Sequence, residues 1–218
     1  MASDRGTETF FVISKGEIGS EHDTEYLKAD GSAFGDAPRC EVCGQFVNGR
    51  RWLSPFRVEL TLHGSSWGDF AFFGDGDFVV SERAARLFRE AGLTGLQGFE
   101  TVEIAQIRGS NQQPPSYLPV TVARSEAAVD ERRSSLIRPE TVTCDRCRSG
   151  GLEGIRGFVL APGTWTGEDV FFARGLGGVL IATSRFRDLV GRHGLTNIRL
   201  TPTESYLWDP YAPISGAA

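Results

Sequence analysis

The sequence of 218 residues predicts an α+β fold built from two duplicated halves, each with a small, mainly antiparallel sheet and one main helix. Three observations lead to this prediction. A Cys-x-x-Cys pair occurs twice in the chain. A similar order of apolar segments follows each pair, and each series ends in an amphipathic helical pattern followed by Gly-Leu-Thr.

The first half contains several short segments that predict β-strands. In some of them apolar and polar residues alternate, and others are unbroken apolar runs. The predicted strands are residues 10–13, 58–62, 70–73, 78–80 and 99–107, and one turn of helix is expected at residues 25–27. Ser81 is the expected N-cap of the main helix, which runs to Ala91 and carries apolar residues at i, i+3, i+4 and i+7 from Ala84. Gly92 is expected to end this helix as the glycine that follows its last residues.

The second half repeats this order after the second cysteine pair. Its predicted strands are residues 157–160, 170–172 and 179–182, and its main helix runs from Thr183 to His193. The buried stripe of this helix is expected to be Phe186, Leu189 and Val190. Residues 81–94 align with residues 183–196 at an offset of 102, which indicates an internal duplication.

The repeat and the intervening composition suggest three parts of the chain. The first cysteine-containing half is residues 1–110, and the second is residues 140–218. Residues 111–139 begin with a stretch rich in Gln and Pro and are expected to form a linker and connecting segment, with a short helix at residues 126–129.

The cysteines predict one zinc site shared by both halves. The chain has four of them, and these are Cys40, Cys43, Cys144 and Cys147. Two thiolates in a Cys-x-x-Cys turn converge on one ion, and tetrahedral zinc takes four sulfur or nitrogen ligands. The economical ligand set therefore uses both pairs, although 100 residues separate them, and the site would clamp the two halves together. Gly44 supports the first turn, whereas Arg148 stands at the matching position of the second.

Three other interpretations of the cysteines remain open. Two separate sites would each need histidines, and His22, His63 and His193 are too few to complete both. Disulfides or inert core thiols are a second alternative, which a reducing compartment disfavours. A thioredoxin-like redox pair would follow a strand and begin a helix, and neither pair has a clear strand before it.

Composition limits the classes of partner. A formal net charge of -5 argues against a nucleic-acid-binding protein, which usually has a basic face. No apolar run approaches the roughly 20 residues of a membrane helix, and residues 1–6 lack the apolar core of a signal peptide. These features predict a cytoplasmic protein without a membrane partner.

Arginine supplies nearly all the positive charge, because Lys15 and Lys28 are the only lysines. This bias indicates either an arginine-rich contact surface, which would pair with carboxylates through two parallel hydrogen bonds, or GC-rich coding. The aromatic and acidic segments 67–77 and 165–169 are candidate contact surfaces, against the alternative of ordinary core packing.

No Ser-His-Asp set or pair of acids with a catalytic sequence context is present, so the sequence predicts no catalytic residues.

The arrangement of residues 40–44, 81–83 and 92–95 with the second pair at residues 144–147 resembles the double CxxCG motif proteins of myxobacteria. Some members of that family are immunity proteins that neutralise toxins.

The resemblance implies a cytoplasmic, non-enzymatic immunity protein that binds a toxin domain and uses zinc structurally. An acidic protein would suit this task, since an acidic partner can plug a basic toxin cleft. Two other functions remain open. One is an adaptor that binds an endogenous protein, and the other is a metalloenzyme or redox protein that uses the thiolates, for which a three-ligand site would leave an open position.

Overall fold

The computed structural model describes residues 8–74 and 76–211, so residues 1–7, Asp75 and residues 212–218 lie outside the described residues, and with them residues 1–6, which the signal-peptide prediction concerns. Two α-helices occur in the described ranges: α1 (Glu82–Glu90) and α2 (Ser184–His193). A 3-10 helix spans Thr203–Ser205. The strands are β1 (Phe10–Lys15), β2 (Thr24–Lys28), β3 (Ala33–Phe34), β4 (Trp52–Leu53), β5 (Arg57–Leu62), β6 (Phe70–Phe73), β7 (Asp77–Ser81), β8 (Leu96–Gly98), β9 (Glu103–Arg108), β10 (Tyr117–Ala128), β11 (Leu136–Ile137), β12 (Gly154–Arg156), β13 (Val170–Arg174), β14 (Leu180–Thr183), β15 (Ile198–Pro202) and β16 (Leu207–Trp208).

One mixed sheet dominates the molecule. It contains eleven strands in the order β15-β1-β14-β13-β10-β7-β6-β2-β5-β9, with β8 paired to β10 beside this path. A three-stranded sheet, β11-β12-β16, and the two-stranded pair β3-β4 carry the remaining strands of the described residues. The large sheet therefore runs through both halves of the sequence without a break.

β10 joins the two parts of the large sheet. Its first residues pair antiparallel with β7, its middle pairs with β8, and its last residues pair parallel with β13. β1 makes a second connection, because it lies between β14 and β15 and pairs antiparallel with both. The N-terminal strand is thus completed only by the C-terminal part of the chain.

The two helices were predicted correctly and lie side by side. Ser81 caps α1 by accepting a hydrogen bond from the Ala84 amide at 3.1 Å, and Thr183 caps α2 in the same way. Phe88 of α1 and Phe186 of α2 contact each other with ring centroids 6.3 Å apart. Both rings belong to one apolar core cluster with residues of β6, β7 and β14. In the predicted stripe of α2, Phe186 and Leu189 are buried, and Val190 is half-buried.

Asp69 ties the start of α1 to the turn after α2. Its side chain accepts hydrogen bonds from the Ser81 hydroxyl at 2.8 Å, from Arg83 at 2.6 Å and from the Thr196 amide at 3.1 Å. Because the carboxylate is buried, these donors replace its lost hydration.

Asp169 makes the reverse connection, from the start of α2 to the turn after α1. It accepts from the Thr183 hydroxyl at 2.9 Å, from Arg185 at 3.1 Å and from the Thr94 amide at 2.9 Å. Each helix start is therefore held by the segment that follows the other helix.

The prediction of two duplicated α+β halves is wrong. The protein is mostly β, and one sheet runs through the sequence boundaries that separated the predicted halves. Two small sheets would each leave two unpaired edges, whereas in the described residues the continuous sheet ends at β9 and β15, with β8 paired to β10 alone. The similar order of elements did not determine which strands pair with one another.

Two short helices predicted from local composition are also wrong. Residues 25–27 belong to β2, and residues 126–128 belong to the end of β10. In both places pairing with neighbouring strands overrides a weak local preference for helix.

The division of the chain at residues 110 and 139 stays a prediction, although the segment between them supplies β10. Neither described helix is both long enough and apolar enough to cross a membrane.

Candidate metal centre

Two arms outside the large sheet bring the cysteine pairs together. The first pair lies in the connection between β3 and β4, and the second lies between β11 and β12. Hydrogen bonds between β3 and β4, and between β11 and β12, hold the two ends of each cysteine-containing loop together. We call these two loops the first and second arm. The arms approach each other from parts of the chain 104 residues apart.

The first arm folds into a tight turn around its cysteines. The Gly44 amide donates to the Cys40 carbonyl at 2.8 Å, and the Cys40 amide donates to the Gln45 carbonyl at 2.8 Å. Gly44 has φ 73°, a left-handed conformation that favours glycine. The predicted role of Gly44 in the turn is therefore confirmed.

The second arm repeats this turn with an arginine in the glycine position. The Arg148 amide donates to the Cys144 carbonyl at 2.8 Å, and Arg148 has φ 52°. Its guanidinium donates to the Val129 carbonyl at 2.7 Å. The Ser149 amide points at the Cys147 sulfur at 3.4 Å, as expected for a turn that supports a thiolate.

The four sulfur atoms converge at one point. All of them lie within 4.8 Å of one another. Across the two arms, Cys40 Sγ is 3.9 Å from Cys144 Sγ, and Cys43 Sγ is 3.6 Å from Cys147 Sγ. Tetrahedral zinc with Zn–S bonds of 2.3 Å separates its ligand sulfurs by about 3.8 Å. The cluster therefore has the size that a zinc ion requires.

The four thiols are free and mostly shielded from water. Cys40, Cys144 and Cys147 are buried, Cys43 is exposed, and none of the four forms a disulfide. Burial opposes ionisation of Cys147, but hydrogen bonds from Ser149 and the neighbouring thiols lower its pKa to about 6. Amides of Cys43 and Val42 lower the pKa of Cys40. The amide contact with Gln45 lowers the pKa of Cys43, but burial and the neighbouring thiols raise this pKa to about 12, so the shifts within the cluster differ in direction.

None of the three histidines joins the cluster. Among the described residues, the group of metal-ligand side chains contains the four cysteines alone. His63 lies 3.1 Å from Glu25, and the carbonyl of His193 accepts a hydrogen bond from Arg83. This geometry disfavours two separate sites completed by histidines.

A cavity of about 590 Å³ lies beside the cysteines. Residues of both arms line it together with side chains from β10 and β13. Four of the lining side chains are arginines, namely Arg39, Arg124, Arg146 and Arg174. Sequence reasoning did not locate this cavity, because its arginines come from four distant segments.

The aromatic segments considered as contact surfaces contribute largely to the core. Phe70, Phe72 and Asp169 are buried, and Trp165 packs partly buried against a core cluster. The alternative of core packing therefore accounts for residues 68–72 and Asp169, whereas residues 73, 74, 76, 166 and 167 are exposed and Asp75 lies outside the described residues. The roles of Asp69 and Asp169 were missed, and their shared position directly before the apolar runs of β6 and β13 was the signal that could have found them.

The sequence as a whole identifies the class of protein. The immunity protein family matches residues 22–205, a range that includes both cysteine pairs and both helices. The protein is therefore an immunity protein. Within that class, the chain belongs to the family Imm11. A comparison with curated proteins gives no match.

Proposed function

We propose that this protein acts in the cytoplasm by binding a toxin domain and blocking it stoichiometrically, without catalytic turnover. The match of most of the chain to an immunity protein family carries this proposal. The two Cys-x-x-Cys arms further support a relationship to the double CxxCG proteins of myxobacteria. The acidic net charge of -5 suits a toxin with a basic substrate cleft, because opposite charge speeds association.

We also propose that one zinc ion is held by Cys40, Cys43, Cys144 and Cys147. The sulfur separations support this ligand set, and such a set leaves no position for a water ligand. The metal would serve as a structural cross-link, and the arms' own backbone amides would stabilise the thiolates. A closed set also disfavours the thiolate-metal enzyme, since metal catalysis needs an open position.

Co-expression with a neighbouring toxin tests the proposed function. The gene beside this one should encode a toxin domain that stops growth when produced alone in a bacterial host. We expect co-expression of this protein to restore growth and the two proteins to co-purify as a complex. A toxin domain of an unrelated family serves as the control and should stay lethal.

Two results would contradict the proposal. One is unchanged lethality of the adjacent toxin domain when both proteins are soluble and abundant. The other is the absence of an adjoining toxin gene together with stable capture of a purified endogenous regulatory protein, which would favour the adaptor. Turnover of the toxin or of its substrate by the purified immunity protein would instead favour an enzyme.

A further inference from the structure

The cavity beside the cysteine cluster has a charge opposite to that of the protein. Four arginines and two glutamates, Glu41 and Glu126, line it, so its formal charge is about +2 while the chain carries -5. This local excess of arginine is opposite in sign to the protein as a whole. It indicates a contact with an acidic group.

Two of the four arginines are already neutralised within the cavity. Arg146 lies 3.0 Å from Glu41 and 2.7 Å from Glu126, and Arg174 lies 3.8 Å from Glu126. These ion pairs link the two arms to β10 and β13 and leave Arg146 and Arg174 with a mainly structural role. They contribute little free positive charge.

The other two arginines have no carboxylate within ion-pair distance among the described residues. Arg39 donates to the Gly44 carbonyl at 2.9 Å and stacks over Phe46, with its guanidinium carbon 3.7 Å from the ring centroid. Arg124 donates to the carbonyl of Val47. Backbone carbonyls of the first arm thus orient both guanidinium groups, and most of their N–H donors remain available.

The surroundings select a protein ligand rather than a nucleic acid. The guanidinium fork matches a carboxylate through two parallel hydrogen bonds. Phe46 and Val42 are 56% and 69% exposed, and they offer apolar contact area on the first arm. An extended phosphate backbone would also run over the acidic body and be repelled by it, whereas a short acidic segment needs to contact the cavity alone.

We propose that the partner toxin domain inserts an acidic segment into this cavity, where its carboxylates pair with Arg39 and Arg124. This inference rests on the proposed function, because it assigns the surface through which the toxin is bound. Both cysteine arms line the cavity, so folding of the cysteine cluster also shapes the docking surface.

Charge reversal of the two free arginines tests the docking surface. The cavity variant carries Arg39→Glu and Arg124→Glu, and the control carries Arg86→Glu and Arg192→Glu on exposed helical positions. Both variants change the net charge equally. The probe is the purified toxin domain encoded by the adjoining gene, with titration calorimetry at low and high salt. A 12-nucleotide dT oligonucleotide serves as a second probe.

We expect the cavity variant to bind the toxin domain about 100-fold more weakly than wild type, and the control to stay within about threefold. Equal metal content and thermal stability show that the variant is folded. If it is not, the milder Arg39→Gln, Arg124→Gln variant replaces it, with an expected loss of about tenfold.

Equal affinity of the folded cavity variant and the control would overturn the docking surface and leave the proposed function intact. Failure of the wild-type protein to bind or neutralise the toxin domain would instead overturn the proposed function, and the docking surface with it. Binding of dT to wild type but not to the cavity variant would reassign the cavity to phosphate and also overturn the proposal.

Discussion

Arg148 adopts a backbone conformation that usually belongs to glycine. Its φ of 52° places an L side chain in the left-handed region, which costs about 1–2 kcal/mol. Its guanidinium recovers part of this cost through the hydrogen bond to the Val129 carbonyl. The arginine thus substitutes for the glycine of the first arm by adding a contact.

Substitution of Arg148 separates these two effects. Arg148→Ala keeps the unfavourable φ and loses the hydrogen bond, whereas Arg148→Gly loses the bond but removes the strain. We expect Arg148→Gly to be more stable than Arg148→Ala by about 1 kcal/mol, measured by urea unfolding of the metal-loaded protein. Equal stability of the two variants would show that the backbone at this position is not strained.

Asp169 is a buried carboxylate that several donors share. Asp169→Ala would leave the Thr94 amide and the Thr183 hydroxyl without their acceptor, and we expect a loss of about 3 kcal/mol of unfolding free energy. Asp188→Ala is the matched control, because Asp188 is exposed and, within the described part of the chain, its ion pair is with its neighbour Arg187. A loss below about 1 kcal/mol for Asp169→Ala would mean that water replaces the carboxylate.

At the scale of single residues, the cysteines of the candidate metal centre were the part that the sequence predicted best. The four cysteines were recognisable because their spacing reflects local turn geometry. The carboxylates at 69 and 169 and the arginines at 39 and 124 were not, because their partners lie far away in the sequence. Residue type alone does not report such contacts.

The two cysteine arms have little apolar packing of their own. They rest on strand pairs of two or three residues and contribute a small core cluster made of three cysteines with Val47 against it. So small a cluster supplies little hydrophobic stabilisation. The proposed zinc ion would therefore supply most of the stability of the arms.

Metal removal should loosen the arms and spare the body of the protein. We expect one zinc per chain by elemental analysis, and none in Cys43→Ser after dialysis against a chelator. Hydrogen exchange should then accelerate at residues 36–50 and 139–151, while α1 and α2 keep their protection. Full protection of both arms in the metal-free variant would show that the centre is not structural.

At the element scale, both helices were predictable from the sequence. Two strand segments, β2 and the end of β10, were not. Ser81 and Thr183 start helices by a local hydrogen bond, and a glycine follows each helix, so the signals lie in one short segment. β2 and the end of β10 carry no such signal. Their conformation is decided by the strands beside them.

At the scale of the whole molecule, strand pairing couples the two ends of the chain. The repeated order of elements in the sequence was compatible with two separate sheets, and pairing between distant strands was needed to choose one. Sequence periodicity identifies which residues face a core but not which strand lies next to which. The predicted architecture failed for this reason, although most of its individual strands exist.

A substitution that creates a cavity at β1 tests whether the large sheet unfolds as one unit. Val12 is buried and lies in the strand between β14 and β15. We expect Val12→Ala to lower the unfolding free energy by about 2 kcal/mol. Protection against hydrogen exchange should fall equally at residues 70–81 and 170–183. A fall confined to residues 170–183 would show two independently unfolding parts.

The position of β1 also affects when the protein becomes able to act. During synthesis, β1 leaves the ribosome before its partners β14 and β15, because residues 16–179 separate it from the start of β14. At the usual rates of translation this interval lasts about 10–40 s. β1 cannot form its native pairs during that time, so we expect a newly made chain to gain its protective activity only after β14 and β15 have been made.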